Sequence, residues 1–96
     1  MPYQTLHPSA RALVDRIVVA LAGAQLTPQE RVRAVDMFLN EQAAAAMAQG
    51  EAVFLEEGLA PLVPTWRQTI NQTAAEVRHC ALERLAACDG AGVGRA

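Results

Sequence analysis

Four side chains of this chain have the chemistry of metal ligands, or of a nucleophile and its base: His7, His79, Cys80 and Cys88. Their spacing works against both uses. Ligands that converge from one helix lie three or four residues apart. His79 and Cys80 are neighbours, so they point about 100° apart on a helix, and Cys88 lies about two turns further on. The chain has no CxxC and no HExxH. A nucleophile and its base must hydrogen-bond side chain to side chain, which adjacent helix residues cannot do. Nothing in the spacing brings His7 to a cysteine. The residues therefore predict no metal, no cofactor and no catalytic group, and a protein that is not an enzyme. An intersubunit site around His79 and Cys80 is the one catalytic arrangement the spacing leaves open.

Two further pairs read as structure. Glu56 and Glu57 diverge on a helix and form a solvated face. Pro61-Leu62-Val63-Pro64 matches a minimal proline-rich ligand pattern, but two prolines between helices read as a turn. Cys80 and Cys88 are eight residues apart, about 12 Å along a helix. A disulfide needs Cα atoms within about 7 Å, so an intrahelical bridge is excluded. The reading is two reduced, partly buried thiols in a cytoplasmic protein, with a bridge across a dimer as the alternative.

The elements that hold these residues are helices. The 96 residues fit one domain, 52% hydrophobic but only 4% aromatic. Much of the apolar content is alanine, which favours helix and buries little area, so the core is thin and a second copy would deepen it. All eight basic residues are arginine, which reads as the codon bias of a GC-rich bacterial genome. A net charge of −2 argues against nucleic acid. No stretch has the length of a membrane span. Ile17 to Leu21 before Ala22-Gly23-Ala24 faintly resembles the end of a secretory signal, but the stretch is short, Asp15 precedes it and no lysine does. Asn71-Gln72-Thr73 fits a glycosylation pattern but falls inside a predicted helix.

The spacing predicts an all-α bundle of three to four helices, about 10–24, 28–48 and 65–88, and a dimer. Residues 1–8 read as an N-terminal arm, 9–90 as a single helical domain and 91–96 as a flexible tail. Ser9 is the expected cap of the first helix, which fades near Gly23. Thr27-Pro28-Gln29-Glu30 is the sharpest local signal: a capping threonine, a proline at the first helical position and a glutamate reaching back. Val32, Val35, Leu39, Ala43 and Ala46 mark the apolar face, with Arg31, Arg33, Asp36, Asn40 and Glu41 expected in water. Gly50 either ends this helix or lies within it; Val53 and Phe54 continue the stripe and favour continuation as far as 58. Leu62 and Val63 are expected to pack inward from the connector. Thr65 is the expected cap of the last helix, with Gln68 as its capping-box partner. Its stripe is Trp66, Ile70, Thr73, Ala74, Val77, Ala81, Leu85 and Cys88, and Gly90 ends it.

Leu26 to Leu39 resembles the first helix of bacterial helix-turn-helix domains. The alanine-rich run from Gln42 to Ala48 follows in place of a short turn and a basic recognition helix, so no family is assigned.

Ala10 to Ala24 is apolar on nearly every side, interrupted by Arg11, Asp15 and Arg16. Such a helix requires cover all round, at the centre of a bundle or against another chain. The resulting expectation is a small cytoplasmic helical protein acting by protein–protein contact, as a regulator or anti-activator, a chaperone or an adaptor, and forming a homodimer. Its expected interface is Val14, Ile17, Val18, Leu21, Phe38, Phe54, Trp66 and Ile70, with Ile17→Asp or Val18→Asp breaking the assembly. The alternative is a dimeric DNA-binding regulator using Arg31 and Arg33, or Arg67, Arg78 and Arg84.

Overall fold

Proline and glycine punctuate the chain where the helices begin and end. A computed structural model describes the backbone of residues 3–93 and side chains to residue 88. A 3-10 turn at Tyr3–Thr5 leads into α1 (Pro8–Ala22), then α2 (Pro28–Glu56), a second 3-10 turn (Ala60–Leu62) and α3 (Val63–Val93). The described residues contain three α-helices and no strand. The chain is elongated, 59 × 24 × 16 Å.

Capping chemistry sets most boundaries. Thr27 accepts from the Glu30 N–H at 3.2 Å, and the Glu30 carboxylate accepts from the Thr27 N–H at 2.9 Å, which completes the expected capping box. These bonds hold the Glu30 carboxyl below the usual carboxylate range. Gly23 caps α1 at its C-terminus. At the N-terminus, His7 replaces the expected Ser9: its Nδ1 accepts from the Ser9 N–H at 3.2 Å, and Pro8 takes the first position. α3 starts at Val63, two residues before the expected Thr65 cap. Pro64 is accommodated there because N–H groups of the first turn have no intrahelical partner to lose. At the other end α3 passes Gly90 and runs to Val93. The expected tail is therefore helical as far as Val93, and residues 94–96 lie outside the described ones.

α2 and α3 form a long antiparallel hairpin, and α1 lies along one end of it, chiefly against α3. Leu13 shares a recess with Leu39, and Leu21 shares one with Ala34, so α1 runs antiparallel to α2. α1 has 15 residues against 29 in α2, so at about 1.5 Å per residue it spans about half of the hairpin. Among the described residues every buried hydrophobic one lies in that covered half: Leu6, Ala10, Val14 and Ile17 from the arm and α1, Val35 and Leu39 from α2, and Val77, Cys80, Ala81 and Leu85 from α3. The arm folds back over α1, where the Tyr3 hydroxyl donates to Asp15 at 2.9 Å and the Arg84 guanidinium lies 4.4 Å from the Tyr3 ring centre.

Several expectations are corrected. α1 is not covered all round: Asp15, Arg16, Val19 and Ala20 are exposed, and Val19 keeps 80% of its surface. Its burial is one-sided because the hairpin presents a single face to it. Arg31 is buried, not wet, because it precedes Val35 by four residues and shares its inward face. Cys80 is buried as a small apolar residue while Cys88 is exposed. Leu62 is 45% exposed and does not pack inward.

Candidate protein-contact surface

Among the described residues, no third layer covers the helix pair beyond the N-terminal end of α1. Positions seven apart lie on one line of a helix to within about 20°. Leu39, Ala46 and Val53 form such a line on α2, and Val77, Ile70 and Val63 form one on α3. In the covered half these lines are buried at Leu39 and Val77, and beyond it they surface, with Val53 56% exposed. The same seam thus runs from core to solvent without a change in residue class.

An open apolar recess of roughly 140 Å³ lies where α1 stops. Its floor is small: Ala43 and Ala46 from α2, Ala74 from α3, with Ile70 beside them and Leu13 closing the end. The polar residues at its edge, Gln42 and Thr73, carry no charge. Towards the hairpin tip the surface becomes large and apolar, with Val53, Leu55, Leu59 and Leu62 between 43% and 62% exposed.

Gly50 and Trp66 hold the two long helices together in this half. α2 runs unbroken through Gly50, and a Cβ built there would lie 2.1 Å from the Trp66 indole nitrogen. The indole therefore occupies the place of a side chain at position 50. Its Nε1 donates to the Ala46 carbonyl at 3.2 Å, and its ring meets Phe54 edge to face at 5.9 Å. Arg67 and Glu51 pair on the outer side of the same turn. The helical period at Gly50 was legible in the sequence; the tryptophan 16 residues away that requires a glycine was not.

The expected contact residues separate into two groups. Val14 and Ile17, at 0% and 3% exposure, lie inside the chain's own core, with Val18, Leu21 and Phe38 packed against them. Val14 and Ile17 are closed to another molecule, so Ile17→Asp would unfold the chain before it reported on an assembly. Phe54, Trp66 and Ile70 lie half-buried on the uncovered hairpin and are open to a partner. Sequence periodicity finds apolar faces but cannot tell which ones the chain itself covers.

The described arginines are spread over all three helices. Arg78 donates to Asp36 at 2.6 Å, which raises its pKa further above its ordinary value. Arg84 reaches Asp15 at 3.4 Å, and Arg16 stacks over Phe38 at 5.6 Å. His79 faces Glu83 at 3.4 Å on its own helix. Among the described residues no cluster of three or more His, Cys, Asp or Glu could hold a metal ion, and no helix is long and apolar enough to cross a membrane. Comparison with protein-family models, curated proteins and solved structures found no match for this chain.

Proposed function

We propose that this protein acts by protein–protein contact and not by catalysis, as a small cytoplasmic helical regulator, chaperone or adaptor that forms a homodimer. The carrying observation is the half-covered hairpin: α1 lies over one half of the groove between α2 and α3, and the other half keeps the same apolar lines with no other described element on them. The seat of α1 defines what fits the open half, a helix with small and medium aliphatic residues on one face, the helix-in-groove mode of recognition. Against a DNA-binding reading stands the fate of the arginines, since Arg67, Arg78 and Arg84 are held by Glu51, Asp36 and Asp15.

Trp66 is the chain's single tryptophan and lies half-buried between α2 and α3 in the open half, so its emission reports a change of surroundings there. Titrating the dilute protein with a synthetic peptide of residues 8–22 should shift Trp66 emission to shorter wavelength and saturate. Unchanged emission at a large excess of peptide would overturn the contact reading.

A further inference from the structure

We infer that the open half of the hairpin receives a cationic amphipathic helix of a different protein, its aliphatic face in the groove and its basic residues over carboxylates on both rims. This rests on the contact reading above: the groove sets the shape of the partner, and the charge around it sets the partner's sign.

The charges of the chain are sorted between the two halves. Residues 40–77 carry Glu41, Glu51, Glu56, Glu57 and Glu76 against one basic residue, Arg67. In the covered half the described residues carry six arginines against four carboxylates. A net charge of only −2 for the whole chain thus conceals a strongly acidic end.

The pairing of these groups differs as sharply. In the covered half each described carboxylate is engaged: Asp15 by Tyr3 and Arg84, Glu30 in the capping box, Asp36 by Arg78, and Glu83 beside His79. In the open half Arg67 is taken by Glu51. Among the described residues, Glu41, Glu56, Glu57 and Glu76 make no ion pair. Like charges gathered at one end repel each other and draw in a partner of opposite sign.

Two of these carboxylates border the groove. Its recess has Gln42 at the α2 edge, and positions seven apart share a line, which runs through Gln49 to Glu56 at the tip. Thr73 is the α3 edge, and Glu76, three residues on, flanks it at the α1 end. The two carboxylates therefore stand on opposite rims and at opposite ends, about 20 Å apart along the axis, or roughly four turns of a bound helix. At the tip the C-terminus of α2 lies beside the N-terminus of α3, and their dipoles offset each other. The carboxylates therefore set the sign of the charge there.

The covered half shows the same mode in use. α1 lays Val14 and Ile17 into the core and holds Arg16 beside them, over Phe38 on the α2 rim. A helix seated further along that rim meets Glu56.

Titration calorimetry of the full chain with two peptides tests this. Both have the sequence of residues 8–22 and share its aliphatic face; one carries Asp15→Arg and Val19→Arg, the other Arg11→Glu and Arg16→Glu. At low salt the cationic peptide should bind at least about tenfold tighter, and about 0.5 M salt should remove most of that preference. Glu56→Gln with Glu76→Gln should weaken the cationic peptide about fivefold or more at low salt and leave helicity as it is, since neither carboxylate has an ion pair to lose. Equal affinities for the two peptides, or a cationic preference that survives the double substitution, overturn the cationic partner and leave the contact reading in place. Binding of neither peptide overturns both. Sedimentation tests the other occupant. A dimer tightened by Glu56→Gln with Glu76→Gln and dispersed by neither peptide puts a second copy in the groove and overturns the different protein.

Discussion

The two halves of the α2–α3 hairpin are built from the same apolar seams, yet one is a core and the other a surface. Where α1 lies on the hairpin, Val35, Val77, Ala81 and Leu85 keep no more than 1% of their surface. Where α1 is absent, the residues in register with them stay half-buried or exposed, and the helices are held by an indole seated on a glycine and against Phe54, and by the Arg67–Glu51 pair. Residue type alone does not make a core: a seam of aliphatic side chains becomes one only where a third element removes water from it.

The largest expected effect tests that contrast directly. Leu85→Ala in the covered half should cost about 3 kcal/mol, because it opens a cavity in fully packed surroundings. Ile70→Ala in the open half should cost about 1 kcal/mol, since its surroundings already admit water. Denaturant midpoints of the two variants measure the difference, and equal costs would mean that the halves are equally packed.

Gly50→Ala comes next. Helix propensity alone predicts a gain of about 1 kcal/mol. The contact with Trp66 reverses the sign, because the indole must leave its seat, and a net loss of about 1–3 kcal/mol is expected. The same substitution in a Trp66→Leu background should be neutral or stabilising. A loss that persists there would place the cause elsewhere than in the indole.

Thr27→Ala removes one side of the capping box and should cost about 1 kcal/mol by thermal denaturation. The partner carboxylate adds a pH dependence of fixed sign. The pKa of Glu30 is lowered in the folded state, so its contribution is present above the ordinary value near 4.5 and is lost as pH falls through the lowered one. Glu30→Gln should flatten this part of the acid limb, and an unchanged acid limb would remove Glu30 from it.

The smallest effect is expected at Asp36. Its bond to Arg78 is short but exposed, so Asp36→Asn should change stability by no more than about 0.5 kcal/mol, and less in high salt. A larger change would show that this ion pair fixes the packing of the covered half.

Much of this architecture is legible in local sequence. Thr27-Pro28-Gln29-Glu30, Gly23 and the spacing from Val35 to Leu39 act within a turn or so of chain, and each is found where the sequence places it. Where local reading failed, the cause lay far along the chain or in a competing cap. His7 displaced Ser9 as the cap, Arg31 went inward with Val35, and Val14 and Ile17 were enclosed by α2 and α3, which begin 11 and 46 residues beyond Ile17. The candidate surface was half legible: Phe54, Trp66 and Ile70 were marked as apolar, but their exposure depends on where α1 stops.

By itself the sequence determined an all-α chain of three to four helices joined by short connectors, because capping and helical periodicity are short-range. Only the tertiary structure decided the continuity of α2 through Gly50, since that follows from an indole 16 residues away that needs the space. The open groove follows from the same decision. A helix broken at Gly50 would have left a short hairpin that α1 could cover, whereas an unbroken one outruns α1 and leaves its second half without a partner.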